Sequence, residues 1–349
     1  MGVIRLLLAM SVLLDHTRFE EAFGFFAIVG GPLAVQAFFI ISGFYIGLIL
    51  DTKYHDVALF WSNRCLRIFP TYWLIVGLTL VFVGLFDRAW FLQWTHLGWS
   101  AGLMIAASTV LLVAQDLWMF MGINGLGLYL TPHFQLSTPP LYIFLLIPQA
   151  WSLALELYFY MLAPWLVKLR TSWLLVCTVA LLGGRFAFYR MTGLDGDPWS
   201  YRFFPFELAM FLLGIVAYRI YRIRRAAGHA DVALYGTVVL LTALFPVWSG
   251  WLPSVAAAGW IALAILFAAL PSTFLVTARN KVDRALGELS YPLYVCHILA
   301  AKLVAQLGLI RGAVLSTIAT ALLALLMATL ILKYLDEPLS RLRQRRLLR

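Results

Sequence analysis

Read from its N-terminus, the chain alternates long apolar runs with short polar breaks, and most runs approach the roughly 20 residues that a helix needs to cross a bilayer. Ten such runs predict transmembrane helices at about 2–17, 26–50, 69–87, 143–167, 172–189, 203–221, 232–248, 254–272, 287–308 and 313–334. A further apolar stretch at about 98–131 breaks the pattern. It contains the glycine-rich GINGLGLYL and runs into TPHFQLSTPP, which makes a poor continuous helix. No repeat, low-complexity tract or large soluble domain is visible. The expected fold class is all-α: a polytopic integral membrane bundle of about ten transmembrane helices plus a re-entrant segment, forming one domain over 1–349.

Composition agrees. Of 349 residues, 63% are hydrophobic and 12% charged, against roughly 45–50% and 25% in a soluble domain. A soluble fold of this length has no interior large enough for that apolar surface, so lipid must cover it. The 13 Trp suit anchoring at membrane interfaces. The net charge of +10 does not indicate nucleic acid, because the basic residues sit in short clusters between apolar runs. The clusters are Arg64/Arg67, Lys168/Arg170, Arg219/Arg222/Arg224/Arg225, Arg279/Lys281/Arg284 and the tail 341–349. The positive-inside rule assigns all of them, and both termini, to the cytoplasm. Region 88–142 then starts and ends outside, so it crosses twice or not at all. A re-entrant or interfacial segment over a cavity is expected, because irregular backbone at membrane depth needs a cover of protein or water. The first apolar run carries Arg5 and His16 and has no small-residue cleavage site, so it does not read as a cleavable signal peptide. Cys65, Cys177 and Cys296 lack metal-type spacing and read as packing residues, and no metal site is expected.

Polar groups inside membrane spans are costly and so become functional candidates. Arg5 and His16 are eleven residues apart, which places them within about 20° on one helix face and about 16 Å apart along it. The plainer reading has Arg5 reaching to the headgroups and His16 marking a helix end. In RCLRIFPTYW (Arg64 to Trp73), Arg64 and Arg67 share a face, Pro70 is expected to open the next helix, and Tyr72 and Trp73 fall at interface depth. The pair suits a bidentate grip on phosphates, or serves only as a topology signal. In AWSLALELYFY, Glu156 has no cation within four residues and needs a partner from another helix. A structural ion pair is the simpler account. In LGELSYPLYVCH, Ser290, Tyr291, Tyr294 and His297 line the start of a span interrupted by Pro292, in a packing or a catalytic role. His55, His96, His133 and His229 read as solvated or interfacial.

These motifs occur in an order that resembles the bacterial membrane acyltransferase type 3 family: Arg5…His16, FFIISGF (Phe38 to Phe44), RCLRIFPTYW, WSLALELYFY, LGELSYPLYVCH and DEPLSR. The resemblance covers nearly the whole chain. It implies a single transmembrane acyltransferase domain that moves acyl groups, usually acetyl, onto hydroxyls of exported carbohydrates and other small acceptors. Arg5 and His16 match the family's Arg-x10-His, Arg64 and Arg67 its Arg-x-x-Arg, and Glu156 its WSL-x-x-Glu. The family often has an acid shortly before its FF-x-x-SGF, where this chain has Gln36. The fused extracellular hydrolase-like domain of some relatives is not expected after DEPLSR.

The implied chemistry assigns His16, Arg5 and Glu156 as catalytic, and Arg64, Arg67 and Tyr72 to the donor. Acetyl-coenzyme A (an acyl-CoA) is the expected donor substrate, with no tightly bound cofactor. The expected partners are a carbohydrate or other hydroxyl acceptor and membrane lipid, in the bacterial inner membrane. A hydroxyl needs a general base, and a neutral imidazole is suited to that task near pH 7. An acyl-His intermediate is the other route. A transporter or flippase of a sugar-containing substrate, and a non-catalytic scaffold, are the alternatives from other classes.

Overall fold

The computed structural model describes residues 1–17, 28–226, 232–252, 254–308 and 312–348. The beginning of the second expected span, and His229, lie outside the described residues. The chain is predominantly helical. Its helices are α1 (Gly2–His16), α2 (Gly31–Thr52), α3 (Val57–Phe86), α4 (Arg88–Gln93), α5 (Trp99–Leu111), α6 (Trp151–Leu166), α7 (Thr171–Thr192), α8 (Phe204–Ala226), α9 (Val232–Ala243), α10 (Phe245–Ser249), α11 (Val255–Thr277), α12 (Lys281–Leu307), α13 (Ala313–Ile331) and α14 (Glu337–Arg346). A π-helical turn, Leu332–Asp336, joins α13 to α14. Among the described residues, six stretches are long and apolar enough to cross a membrane: Gly31–Thr52, Val57–Phe86, Thr171–Thr192, Phe204–Ala226, Ala256–Thr277 and Ala313–Arg346. Large apolar side chains such as Val81, Leu85, Val179 and Leu322 face outward, as a lipid-facing surface requires.

Local chemistry sets several helix ends. Asp56 caps α3 by accepting from the Ala58 and Leu59 N–H groups, and Asn280 caps α12 through Val282 and Asp283. Gly193 and Gly308 close α7 and α12 in the left-handed conformation. Proline does not set the ends that the sequence suggests. Pro70 lies inside α3 instead of opening a helix, and α12 runs unbroken through Pro292. Other elements tie down the turn at Pro70: Tyr291 Oη of α12 donates to Ile68 O at 2.6 Å, and Thr71 Oγ1 donates to Asp336 Oδ1 at 2.6 Å. Two expected spans are shorter than their apolar runs. The 143–167 run begins as 3₁₀ turns and becomes α-helical only at Trp151, and the 232–248 run breaks between α9 and α10.

The bundle is ordered by close helix pairs. α1 lies between α2 and α12, α12 packs on α13, and α8 packs on α2, α7 and α11. Where α2 crosses α8, a Cβ added at Gly43 would meet Phe211 O at 2.0 Å, and one at Gly214 would meet Ile40 O at 2.1 Å. The glycine of SGF is therefore the point where two backbones touch.

Region 88–142 departs from the expectation in one respect. It holds α4, α5 and an antiparallel hairpin, β1 (Met121–Asn124) with β2 (Gly127–Leu130), so the fold is not purely helical. At 1.5 Å per residue, α5 is about 20 Å long, short of a crossing. The segment is tied to the bundle, with Tyr72 Oη donating to Thr109 O (2.6 Å), Trp73 Nε1 to Val110 O (2.9 Å) and Tyr158 Oη to Asp116 Oδ1 (2.8 Å). Burial pushes the Asp116 carboxyl up to about 6, and its hydrogen bonds, that from Tyr158 foremost, offset part of the rise. None of its residues lines the cavity described next.

Candidate functional site

The principal cavity has a volume of about 560 Å³ and sits among α1, α2, α3, α6, α11, α12 and α14. It brings together Arg5, Arg64, Arg67 and Glu156, which are far apart in sequence. The Arg5 guanidinium is 5.8 Å from the Tyr45 ring centroid, and its Nη1 lies 3.4 Å from where a Cβ on Gly287 would stand. Arg64 faces the rings of Phe60 and Tyr160, each at 5.9 Å, and its Nε is buried without a hydrogen-bond partner among the described residues. Arg67 lies 5.6 Å from the Tyr291 ring centroid, with Nη1 4.0 Å from Asp336 Oδ2. Six cations line the cavity (Arg5, Lys53, Arg64, Arg67, Arg284 and Arg343) against the acids Glu156, Asp283 and Glu288. A partly enclosed wall of that sign attracts anions.

Glu156 has no ion-pair partner among the described residues. Its Oε1 accepts from Ser42 Oγ at 2.8 Å and from Tyr160 Oη. The serine of SGF therefore answers the carboxylate of WSL-x-x-Glu across the α2–α6 contact.

His16 and Tyr72 do not line this cavity. Tyr72 is buried, donates to Thr109 O and accepts from Gln115 Nε2 at 2.7 Å, so it braces α5 and stands apart from the arginines with which the sequence groups it. His16 is exposed in the last turn of α1. Its Nδ1 lies 2.8 Å from Val12 O. A carbonyl only accepts, so Nδ1 carries the hydrogen, and in the neutral ring Nε2 is the basic nitrogen. The His16 ring centroid is 5.1 Å from that of His297. His297 is buried, donates from Nδ1 to Tyr294 O at 2.7 Å, and has no hydrogen-bond partner at Nε2 among the described residues.

Tyr294 links the two regions. It lines the cavity, its ring is 6.0 Å from His297 and 6.4 Å from Phe38, and its hydroxyl joins Ser152 Oγ at 2.6 Å and Gln149 O at 3.0 Å. Tyr294, with Phe38 and Ser152 against it, is the cavity-lining residue that meets the imidazole pair.

Sequence reasoning missed one polar cluster. Arg185 Nη1 pairs with Glu207 Oε1 at 3.1 Å, both residues are buried, and Gln36 Nε2 donates to the same oxygen at 2.9 Å. The carboxylate near FFIISGF thus comes from α8. Its signal was present, since Arg185 and Glu207 each lie inside an apolar run.

The fold and the cavity define a class: a helical multi-pass membrane protein with an anion-attracting interior. Residues 1–333 match the model of a family described as an acyltransferase domain, type 3, and the chain belongs to that family. It is also similar to the Bacillus subtilis (strain 168) protein named "Putative peptidoglycan O-acetyltransferase YrhL", with 36% identity over 90 residues. That match spans 24% of this chain and 13% of the length of the B. subtilis protein. No solved structure matches the chain.

Proposed function

We propose that the protein is a membrane O-acyltransferase that moves an acyl group, acetyl in the first instance, from acyl-coenzyme A to a hydroxyl of a carbohydrate such as a cell-surface polysaccharide or its lipid-linked precursor. The observation that carries this reading is the single cavity shared by Arg5, Arg64, Arg67 and Glu156. Its cationic excess suits the phosphates of coenzyme A, and Arg is suited to hold them. The family supports acyl transfer, and the acceptor named for the B. subtilis protein supports a carbohydrate.

In this reading ten helices cross the bacterial inner membrane and both termini are cytoplasmic, so the cavity opens to the donor's compartment. Phe38 and Tyr294 part to admit the pantetheine arm. His16 Nε2 takes the proton of the acceptor hydroxyl as its oxygen attacks the thioester carbonyl. The C–O bond forms, the C–S bond breaks, and the departing thiolate takes a proton to leave free coenzyme A. His297 packs against the His16 ring and limits its rotation. Arg5 orients the arm, and Glu156, held by Ser42 and Tyr160, sets the polarity of the passage.

Purified protein given labelled acetyl-coenzyme A and a soluble peptidoglycan or polysaccharide fragment is expected to release free coenzyme A in proportion to ester formed on the acceptor. Movement of a sugar across liposomes with no coenzyme A released would instead make the protein a transporter.

A further inference from the structure

The family match ends at residue 333, yet Ser340, Arg343 and Gln344 of α14 form part of the cavity wall. We propose that Arg343 is a third phosphate-binding residue of the donor site, brought there by α14 to act with Arg64 and Arg67 on the phosphate groups of a coenzyme A thioester. This rests on the donor reading above.

Two observations carry it. The first is that the placement of α14 is built. Arg346 Nη1 donates to Asn63 Oδ1 at 3.0 Å and its Nη2 to Ser62 Oγ at 2.9 Å, and Asn63 Nδ2 reaches Arg343 O at 3.5 Å and Tyr54 Oη at 3.1 Å. The last turn of α14 is thereby clamped to the residues that immediately precede Arg64. The second is that the charge is only partly compensated. Among the described residues, neither Arg64 nor Arg343 has a carboxylate within ion-pair distance, and the acid facing Arg67 is 4.0 Å away. The Arg343 side chain makes one hydrogen bond, Nε to Leu339 O at 3.4 Å, which leaves its terminal nitrogens free among the described residues. Three guanidinium groups on one wall repel one another until an anion joins them. A coenzyme A thioester offers a diphosphate and a 3′-phosphate. An anionic lipid headgroup offers the same chemistry, so the test must separate the two.

Full-length protein in nanodiscs of phosphatidylcholine alone is titrated with coenzyme A by calorimetry, and the titration is repeated in phosphatidylglycerol discs. Arg343→Ala is expected to weaken coenzyme A binding about ten- to a hundredfold in both lipids, as loss of a charge-assisted phosphate contact does. Arg343→Lys should restore part of the loss. Arg345→Ala, exposed on the same helix and outside the cavity, should bind as wild type does. If Arg343→Ala unfolds, Arg343→Gln, which keeps most of the apolar stem, serves in its place. Wild-type affinity in Arg343→Ala, an equal loss in Arg345→Ala, or a loss confined to phosphatidylglycerol would overturn the proposal. Wild-type protein that fails to bind coenzyme A at all would instead overturn the donor reading.

Discussion

The imidazole rings of His16 and His297 stand 5.1 Å apart, and each ring donates from Nδ1 to a carbonyl of its own helix, leaving Nε2 as the basic nitrogen. α1 and α12 pack side by side along their length, so this pairing is a product of the closest contact in that part of the bundle.

If His16 is the base, His16→Ala should lower turnover about a hundred- to ten-thousandfold with little change in donor affinity. His16→Gln should fail almost as badly, because an amide keeps hydrogen bonding but takes up no proton. His297→Gln should show a smaller loss of turnover at unchanged donor affinity. Steady-state assays in liposomes with a verified acceptor check this, and wild-type turnover in His16→Ala would end the assignment. Donor alone labelling His16, with the label chasing to acceptor, would mark it as a nucleophile.

Arg64 and Arg67 should differ when replaced. Both Ala variants are expected to weaken donor use about ten- to a hundredfold. Only Arg67→Ala should also lower the unfolding temperature, because it leaves buried Asp336 without its cation. The cost of that loss is about 1–3 kcal/mol. Thermal unfolding in detergent separates the two, and equal stability losses would count against the Asp336 role.

Gly43→Ala should prevent normal assembly, since its Cβ would stand 2.0 Å from a backbone oxygen of α8 that has no side-chain freedom to retreat. Overpacking costs about 1–3 kcal/mol even in adaptable cores, and more is expected against backbone. Gly77→Ala, in open space on α3, should be tolerated and is the matched control. Expression as a monodisperse species in detergent is the readout.

Asp116 gives a pH dependence with a definite sign. Its carboxyl is raised from 3.8 in the unfolded chain to about 6 when folded, so the folded state favours its protonated form. The corresponding stability is fully present below pH 3.8 and is lost as pH rises through about 6. Asp116→Asn should therefore flatten the unfolding temperature between those limits and exceed wild type above them. A wild-type profile matching that of the Asn variant would show that the burial of Asp116 carries no such penalty.

Most of the helices were legible because lipid imposes a length and a polarity on any helix that crosses it. Arg5, Arg64, Arg67 and Glu156 could be picked out for the same reason, as charges in or beside apolar runs. The roles of Pro70 and Pro292 were not legible. A proline ends a helix in isolation, but here the turn around Pro70 is tied to other elements, with Tyr291 of α12 donating to Ile68 O and Thr71 donating to Asp336. Tyr72 stands one helix turn beyond Arg64, Arg67 and Ile68, which line the cavity, and its own side chain turns to α5, as that of Trp73 does.

What the sequence determined by itself was the solvent each segment requires, and with it the helical membrane class and the charged positions that such a solvent makes conspicuous. The tertiary structure alone decided which of those positions share a space. Helix packing turns on close approaches such as Gly43 with Phe211 O, and on hydrogen bonds between residues more than a hundred positions apart, such as Ser42 with Glu156. Neither leaves a local periodicity. The same holds for Arg343, whose place in the cavity depends on Arg346 finding Asn63 at the far end of the chain.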